Sequence, residues 1–319
     1  MVKEPENLGI SIVTAHYNHG DLIERCVKST AHQKVPVYEH IIVDDGSAVD
    51  HKDVLKDIEA RFSHVRVVFK PQNEGAPKAF SDGVAQAKGS HVLVMSADDY
   101  LAEDFVAKYM AVLRDHPDAA LVTSDPTFRD EKTQKTWQRS LINVKDTIYL
   151  SPQEVVSIQR RGYYFLNGTN TVVRTDLMQK GEIGDDKLRW HHDWFTLFVI
   201  AYRFGVWYVP TASNIISVQD GTYSTGAMDW SRQREVLSHL FALLESQAYG
   251  DVRDQFIRSD VLIFFPYAFK FLCTRKAPKG YLSARFLAKS LLIHCKRRFF
   301  HKAPWIENLF TRYVRAEFS

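Results

Sequence analysis

Two pairs of neighbouring aspartates are the residues of this chain best suited to chemistry. Asp44 and Asp45 begin the segment DDGS of residues 44–47, and Asp98 and Asp99 end the segment SADD of residues 96–99. Like charges within about 4 to 6 Å shift each other's pKa, so paired carboxylates require a nearby cation or hydrogen-bond donors. Carboxylate oxygens suit Mg²⁺ or Mn²⁺, ions that bridge carboxylates to substrate phosphates. The two pairs therefore predict a site for a divalent metal and a diphosphate.

A simpler interpretation of each pair remains open. Asp, Gly and Ser are common in turns and at helix N-caps, so residues 44–47 alone also fit a turn that begins a helix. Two such pairs at the ends of two strands favour the chemical interpretation. The sequence has no G-x-G-x-x-G after its first strand and no G-x-x-x-x-G-K-[ST]. The dinucleotide and P-loop classes therefore lack their usual phosphate-binding segment.

The elements that must position these aspartates alternate between short β-branched runs and longer helical patterns over the first 125 residues. This alternation is typical of a parallel sheet covered by helices. Strands are predicted at 9–15, 40–43, 65–69, 91–95 and 120–124, with helices at 21–33, 50–61, 77–87 and 103–115. The predicted fold class is α/β, a mostly parallel open sheet with helices on both faces. Ligands of such sheets bind beyond the carboxyl ends of the strands, where residues 15–18, 44–47 and 96–99 are expected to meet.

Four segments of this half of the chain resemble a known family. They are SIVTAHYN of residues 11–18, IIVDDGS of 41–47, NEG of 73–75, and KGS of 88–90 leading into 96–99. In order and spacing they are similar to the family 2 glycosyltransferases of the GT-A fold, of the type that builds bacterial surface polysaccharides. The resemblance extends from residue 9 to about residue 225. It implies a Rossmann-like fold and a nucleotide diphosphate-sugar donor, expected to be a UDP-sugar.

The resemblance implies roles for residues whose positions match the family's motifs. Ala15, Tyr17 and Asp45 are expected to hold the nucleotide base. Asp98 and Asp99 are expected to bind the ribose and a Mg²⁺ or Mn²⁺ ion on the diphosphate. Because the family's first aspartate is replaced by serine at position 96, either Asp98 or Asp99 is a candidate for the direct metal ligand.

A second motif, WHHDW of residues 190–194, precedes an apolar pattern at 194–204. The resemblance implies that Asp193 is the general base, which accepts the proton of the acceptor hydroxyl in a single displacement with inversion. Asp193 also fits the N-cap of the following helix, and the adjacent histidines are alternative metal ligands. His192, Asn167 and Asn170 are acceptor-site candidates. Lys78 either approaches the diphosphate or lies on a solvated helix face.

Positive charge is concentrated in the last part of the chain. The net charge is +3, yet residues 270–319 contain 12 Lys and Arg against two Asp and Glu. Arg285, Lys289 and Lys296 fall on one stripe of a helix predicted at 281–300, beside apolar residues. Long cations and aromatics together suit an anionic membrane surface. A solvated basic face on helices that pack against the catalytic domain is the alternative, and nucleic acid is not expected as a partner.

The predicted organisation is a catalytic domain at 1–228 and a basic α-helical region at 229–319, with helices at 231–247, 252–273 and 281–300. Three cysteines, a polar N-terminus and the absence of an apolar run of about 20 residues predict a cytoplasmic protein, peripheral on the inner face of the cell membrane. The predicted function is inverting, metal-dependent transfer of a hexosyl group to a hydroxyl of a glycan or lipid-linked glycan. A sugar-nucleotide nucleotidyltransferase and a noncatalytic nucleotide-sugar-binding protein are the alternatives.

Overall fold

The computed structural model describes residues 7–138, 140, 142–161, 166–180, 185–219, 227–265, 267–274, 278 and 280–292. The chain divides into two compact units. The sheet unit comprises residues 1–140, 146–155 and 165–225. The helical unit comprises residues 141–145, 156–164 and 226–319.

The ten strands of the described residues form one sheet. They are β1 (Ile10–His16), β2 (Glu39–Asp44), β3 (Val65–Phe69), β4 (His91–Ser96), β5 (Tyr100–Leu101), β6 (Leu121–Asp130), β7 (Thr136–Gln138), β8 (Ile148–Leu150), β9 (Thr171–Arg174) and β10 (Val206–Val218). Their order is β3-β2-β1-β4-β9-β6-β10-β5, with β7 beside β6 and β8 beside β10. Strands β3, β2, β1 and β4 are parallel neighbours, as the alternating sequence pattern predicts.

The other half of the sheet differs from the predicted set of strands. β9 lies between β4 and β6 and is antiparallel to both. It has four residues, too few for its β-branched pattern to stand out in the sequence. β6 continues to Asp130, well beyond its predicted end at 124, and β10 continues to Val218, because their parallel pairing resumes after two register shifts. Both strands thereby reach the rim at which residues 96–99 lie.

The helices of the sheet unit are α1 (Gly20–Ala31), α2 (Val49–Arg61), α3 (Ala76–Val84), α4 (Phe105–Asp115), α6 (Thr175–Gln179) and α7 (His192–Phe204), and α5 (Pro152–Arg160) begins in it. Nearly every residue of β1 and β2 is buried. Such strands are covered on both faces, which explains why their sequences are continuous apolar runs and not alternating ones. α7 likewise buries eight consecutive residues, from Phe195 to Tyr202.

A glycine allows α3 to approach the sheet closely. A Cβ atom on Gly83 would lie 2.4 Å from Val13 Cγ1 and 3.0 Å from Val43 Cγ2. Since interiors are packed at crystal density, no larger side chain fits without a shift of the helix. Gly83 therefore sets the spacing between α3 and the two strands that end at His16 and Asp44.

The helical unit contains α8 (Trp230–Leu244), α9 (Gly250–Ser259) and α10 (Ala268–Leu272), and residues 284–292 are helical. The continuous helix predicted at 252–273 is wrong. Asp260 and Tyr267 have φ of 57° and 59°, and this left-handed backbone conformation ends an α-helix. A 3₁₀ turn, Val261–Phe264, fills the interval. The rings of Phe241 and Phe271 stack in the core of this unit, with centroids 5.3 Å apart.

Two cations of the predicted basic stripe bind a buried carboxylate. Arg285 Nε donates to Asp260 Oδ2 at 2.7 Å, and Lys289 Nζ lies 3.0 Å from the same oxygen. Asp260 is 2% exposed. These contacts favour the alternative in which the basic helix packs within the protein over lipid contact by Arg285 and Lys289. Lys296 and the remainder of the predicted helix, 293–300, lie outside the described residues.

No helix among the described residues combines the length and the apolarity that crossing a membrane requires.

Candidate active site

The ends of three neighbouring strands bring the predicted polar segments together. β1 lies between β2 and β4, with His16 opposite Asp44 and Ala15 opposite Ser96. Ala15 is half-buried, and the ring of Tyr17 is 45% exposed just beyond the strand. The rim therefore presents an open aromatic face beside the two aspartate segments, a surface on which a planar base can stack.

The first aspartate of DDGS is part of the protein interior. Asp44 is fully buried and accepts a hydrogen bond from His16 Nδ1 at 3.0 Å and one from the Ser47 backbone N–H at 3.2 Å. Burial acts to raise the pKa of Asp44, but the bonds from His16 and Ser47 together hold it below its usual range. Gly46 has a φ of 76°, and a Cβ there would lie 2.5 Å from the Gln72 carbonyl carbon. The turn thus requires glycine, as the pattern Asp-Asp-Gly-Ser indicates.

The second aspartate of DDGS organises the loop that follows β3. Asp45 is 2% exposed, and its oxygens accept the backbone N–H groups of Glu74 at 3.0 Å and Gly75 at 2.7 Å. The ammonium of Lys70 lies 2.8 Å from Asp45 Oδ1 and 2.8 Å from Glu74 Oε2. Burial acts to lower the pKa of Lys70, and its two carboxylate partners raise it above its usual value. The DDGS and NEG segments are therefore one hydrogen-bonded structure.

Asp99 is held by protein donors on both carboxylate oxygens. It is 4% exposed, its Oδ2 accepts from Thr169 Oγ1 at 2.8 Å, and its Oδ1 accepts from the Ser217 backbone N–H at 2.8 Å. Burial and the neighbouring charge of Asp98 raise the pKa of Asp99, and the hydrogen bonds from Ser217 and Thr169 act in the opposite direction. This carboxyl group joins β4 to the end of β10 and to the turn at 168–170.

Asp98 is the more available of the two carboxylates. It is half-buried, and its Oδ2 accepts from Gln219 Nε2 at 2.8 Å. Its Oδ1 accepts no hydrogen bond from a described residue. The backbone carbonyl of Asp98 accepts from Arg25 at 2.8 Å and from Ser217 Oγ at 2.6 Å, which fixes the turn.

The donor set is compatible with a metal that takes most of its ligands from substrate and water. No group of three or more His, Cys, Asp or Glu with suitable geometry occurs among the described residues. Mg²⁺ is commonly bound by one or two carboxylates, with substrate phosphates and waters completing its coordination. One available carboxylate at the rim, Asp98, meets that requirement.

The 3₁₀ turn Gly168–Asn170 lies between the rim and α7. Asn167 Oδ1 accepts from the Thr169 N–H at 3.0 Å and caps the turn. Asn170 is completely buried, and its side-chain amide donates to the Ser124 carbonyl. Of the two asparagines predicted as acceptor candidates, Asn167 is half-buried and Asn170 faces the interior.

Asp193 occupies the first turn of α7. The helix begins at His192 with His191 as N-cap, so the N-cap position predicted as an alternative for Asp193 is wrong by two residues. Burial raises the pKa of Asp193 to about 6, and the nearby backbone N–H groups of Trp194 and Gly168 act in the opposite direction. A carboxylate with this pKa is ionised at neutral pH and basic enough to accept a proton from a hydroxyl group.

His192 lies beside Asp193 on the same turn. Its Nε2 is 3.9 Å from Asp186 Oδ1, and burial lowers its pKa, so the ring is neutral at pH 7. Both residues line a cavity of about 470 Å³ among α3, β4, α6 and α7. The ammonium of Lys78 pairs with Asp82, one turn further along α3, and is therefore already bound to a carboxylate within the protein.

Four residues that the sequence analysis did not single out hold this site together. Arg25, Thr169, Ser217 and Gln219 all bond to the Asp98-Asp99 segment. Arg25 also pairs with Glu131 at 2.9 Å. Ser and Gln are ordinary loop residues in sequence, and only the extension of β10 to Val218 brings them to the rim.

The sequence matches a family model over slightly more than half of its length. Residues 11–180 match the model described as Glycosyl transferase family 2. Over 103 residues the chain is 35% identical to poly(ribitol-phosphate) beta-glucosyltransferase of Bacillus spizizenii, a match that covers 31% of this chain and 16% of that protein. The chain spans 16% to 40% of the length of the first three curated relatives that it matches.

Solved structures match a larger part of the chain. S. aureus TarS 1-349 in complex with UDP superposes with a TM-score of 0.60 at 17% identity, covering 83% of this chain and 72% of that one. The mannosyltransferase PcManGT from Pyrobaculum calidifontis, in complex with GDP-Man and Mn2+, gives a TM-score of 0.57 at 16% identity and covers 95% and 84%. At such identities the similarity shows a shared fold.

Proposed function

The chain belongs to glycosyl transferase family 2, and on that premise we propose that it transfers a sugar from a UDP-sugar to a hydroxyl group of a glycan, with inversion at the anomeric carbon. The observation that carries the proposal is the turn Gly168–Asn170. Its Gly168 lies against Asp193, so that a Cβ atom on the glycine would be 3.2 Å from Asp193 Oδ2, and its Thr169 hydroxyl donates to Asp99 Oδ2 at 2.8 Å. One turn therefore contacts both the proposed base and the proposed diphosphate segment.

The proposed donor site is the rim formed by β1, β2 and β4. Tyr17 offers an exposed ring for the base, beside Ala15 and the Asp45 turn. The match with a UDP-bound TarS structure supports a uridine nucleotide. Because both oxygens of Asp45 already accept hydrogen bonds within the protein, we propose that Asp45 shapes the base site through the loop at 73–75 and offers only a remaining lone pair to the base.

We propose Asp98 as the carboxylate that would hold a Mg²⁺ or Mn²⁺ ion, because Asp99 is buried with both oxygens occupied. The Mn2+ complex of the structurally similar PcManGT supports a divalent ion. A metal bound here would neutralise negative charge on the diphosphate leaving group. The proposed role of Asp99 is to hold β10 and the 168–170 turn against the Asp98 segment.

Asp193 is the proposed general base. Its carboxylate takes the proton of the acceptor hydroxyl as that oxygen bonds to the anomeric carbon and the bond from that carbon to the diphosphate oxygen breaks. The products are the extended glycan, with inverted configuration, and UDP. Burial prepares Asp193 for this role, since a pKa of about 6 gives a stronger base than an exposed aspartate while leaving it ionised at pH 7.

The proposed acceptor is a hydroxyl of a surface glycan or lipid-linked glycan. The curated relative named above is a glucosyltransferase of poly(ribitol-phosphate), a polymer rich in hydroxyl groups. We further propose that the region from about residue 229 attaches the enzyme to an anionic membrane surface. Because Arg285 and Lys289 bind Asp260, the attraction would come from the basic residues at 296–302.

A panel of nucleotide sugars tests the proposed reaction. The protein is incubated with each donor, Mn²⁺ or Mg²⁺, and an acceptor glycan mixture, and the released nucleotide product is identified. A ligand at 100 times its dissociation constant stabilises the fold by about 2.7 kcal/mol, so thermal shifts can first select the donor. Release of UDP by the wild-type protein, with at least a hundredfold slower release by Asp193→Asn, is the expected result. Release of pyrophosphate instead, or an unaffected Asp193→Asn variant, would overturn the proposal.

A further inference from the structure

Two polar side chains of α1 bind the backbone of the segment that follows β4. Arg25 and Ser29 are four residues apart, so they lie on the same face of the helix. Arg25 Nη2 donates to the Asp98 carbonyl at 2.8 Å, and Ser29 Oγ accepts the Leu101 N–H at 3.1 Å. α1 therefore holds residues 98–101 from one side, and Arg25 holds the end that bears the proposed metal carboxylate.

The guanidinium of Arg25 is supported on two sides. Its neighbours in sequence, Cys26 and Val27, are fully buried, so the helix behind it is packed into the core. Its guanidinium carbon lies 4.4 Å from the centroid of the Tyr100 ring, and the Tyr100 hydroxyl accepts from Arg129 Nη1 at 3.2 Å. A planar guanidinium that stacks on an aromatic ring is oriented as well as attracted. The direction of its hydrogen bonds is therefore fixed.

One nitrogen of Arg25 joins the Asp98 segment to two further strands. Besides the Asp98 carbonyl, Nη2 donates to Ser217 Oγ at 3.0 Å and lies 2.9 Å from Glu131 Oε1. Ser217 belongs to the end of β10, and Glu131 directly follows β6. The side chains of Arg25 and Glu131 are 32% and 19% exposed, so this ion pair is partly shielded from water. α1, β6 and β10 thus meet the Asp98 segment at Arg25.

The position of the Asp98 carboxylate depends on the backbone that Arg25 holds. Within the described part of the chain, Gln219 is the one side chain that donates to this carboxylate. Mg²⁺ requires near-ideal octahedral geometry with oxygens at about 2.0–2.1 Å, so a displaced carboxylate binds it less well even when its charge is kept. Groups that orient a metal ligand from outside typically account for about 10- to 100-fold in metal affinity.

We propose that Arg25 is a positioning residue for the metal, which sets the affinity for Mg²⁺ or Mn²⁺ by fixing the Asp98 backbone and contacts neither the ion nor the diphosphate. The proposal rests on the proposed function for Asp98 as the metal carboxylate. It adds a residue of α1 whose effect is confined to the metal-dependent part of nucleotide binding.

Calorimetric titration of UDP into the full chain, with and without Mn²⁺, tests the proposal. The measured quantity is the factor by which Mn²⁺ tightens UDP binding. Arg25→Met removes the guanidinium and keeps an apolar stem, and it should reduce this factor about 10- to 100-fold. UDP binding without metal should stay within twofold of wild type. A comparable loss of binding without metal would assign Arg25 to the diphosphate itself and overturn the positioning role.

Arg61→Met is the matched control, because Arg61 makes the same kinds of contact at the end of α2. Its guanidinium pairs with Glu24 and Asp57, and its central carbon lies 5.3 Å from the centroid of the Phe62 ring. The Mn²⁺ factor of this variant should stay within twofold of wild type. An equal reduction in Arg61→Met and Arg25→Met would show a general effect of losing an arginine and contradict a specific role of Arg25.

Two further variants keep the test decisive if Arg25→Met does not fold. Arg25→Lys retains the charge but lacks the planar group that stacks on Tyr100, so the Mn²⁺ factor should still fall at least about fivefold. Glu131→Gln removes the charged partner of Arg25 and should lower the factor about threefold. Because both residues act through one contact, the double variant should match Arg25→Lys within twofold. A wild-type Mn²⁺ factor in both single variants would overturn the proposal.

The positioning role and the proposed transfer fail separately. If Mn²⁺ tightens UDP binding equally in wild type and in the Arg25 variants, the positioning role is wrong and the proposed transfer stands. If the Arg25 variants lose the Mn²⁺ factor but wild type turns over no nucleotide sugar, the positioning role stands and the proposed transfer is wrong. If Mn²⁺ does not tighten UDP binding to wild type, the metal site and the role of Arg25 are both wrong.

Discussion

Thr169 Oγ1 donates a 2.8 Å hydrogen bond to Asp99 Oδ2, and the residue before it, Gly168, lies against Asp193, where a Cβ atom on the glycine would be 3.2 Å from Asp193 Oδ2. Two carboxyl groups that are 94 positions apart in sequence thus contact adjacent residues of one 3₁₀ turn. The turn is also held by a hydrogen bond from the Asn170 side-chain amide to the Ser124 carbonyl. A small change in this turn should therefore displace the Asp193 carboxylate.

Gly168→Ala tests the contact with the base. The added Cβ would lie 3.2 Å from Asp193 Oδ2, so the carboxylate must move by a few tenths of an ångström. A misplacement of about 1 Å can cost a hundredfold in rate, so we expect a kcat about tenfold lower, with UDP affinity unchanged. Gly250→Ala is the control, because a Cβ there meets nothing within 4 Å. An unchanged kcat in Gly168→Ala would show that the position of Asp193 is not critical.

The pKa of Asp193 predicts the pH dependence of transfer. The base must be ionised, and its pKa is about 6, so kcat/KM should be level above pH 7 and fall by up to tenfold per pH unit below about pH 6. An ordinary aspartate would keep the rate level to about pH 4. Steady-state rates from pH 5 to 8 measure the midpoint. Asp193→Asn should show a low rate without this acid limb, and an acid limb retained in that variant would assign it to another group.

Asp98→Asn and Asp99→Asn separate the proposed metal ligand from its structural neighbour. Asp98→Asn should weaken the Mn²⁺-dependent part of UDP binding at least tenfold, because it replaces an available carboxylate by a neutral amide. Asp99→Asn should change the Mn²⁺-dependent part of UDP binding by less than threefold. The asparagine carbonyl can accept from the Ser217 N–H, and the asparagine amide can donate to Thr169 Oγ1. Titrations of UDP with and without Mn²⁺ give the comparison, and the reverse ranking would make Asp99 the ligand.

Much of the fold is readable from the sequence, and the family assignment and GT-A fold class are confirmed. The four parallel strands and their helices are long, periodic segments, so their types follow from pattern alone. β9 and the breaks in the helix predicted at 252–273 do not follow from the sequence pattern. β9 is short, and the left-handed backbone at Asp260 accompanies a buried ion pair with Arg285, 25 positions away in sequence.

The residues of the candidate site likewise include some that the sequence indicates and some that it does not. Asp45, Asp98 and Asp193 stand in local motifs and are recognisable from their neighbours in sequence. Thr169 and Ser217 are not, because their importance arises from tertiary hydrogen bonds to Asp99, which is 70 and 118 positions away in sequence. The cavity beside His192 and Asp193 could not be predicted from the sequence either, because the residues that line it come from positions as far apart as 80 and 197.

Two buried histidines predict a loss of stability in acid. His40 lies between Thr14 Oγ1 and Thr30 Oγ1, and burial lowers its pKa to about 3. Burial lowers the pKa of His91 to about 4. Because unfolded histidine has a pKa near 6.5, the unfolded chain binds these protons first as the pH falls. Each residue should then cost about 2 kcal/mol of unfolding free energy at pH 5 relative to pH 7.

Urea unfolding at pH 7 and pH 5 measures this loss. His40→Gln keeps polar contacts with the two threonines and removes one titrating group, so its stability should depend less on pH over this interval than that of wild type. The same pH dependence in both proteins would contradict the assignment to His40.

The proposed membrane attachment makes a charge-specific prediction. Arg297→Gln/Arg298→Gln removes two cations from the basic segment, and each is worth about 1 kcal/mol close to an anionic surface. Partition onto vesicles that contain anionic lipid should therefore fall roughly 30-fold, since 1.4 kcal/mol corresponds to a factor of ten. Lys52→Gln/Lys56→Gln removes the same charge from a half-buried and an exposed position of α2 and should leave partition within threefold. Sedimentation of the full chain with vesicles gives the comparison, and equal losses in the two variants would show a general effect of net charge without a specific attachment surface.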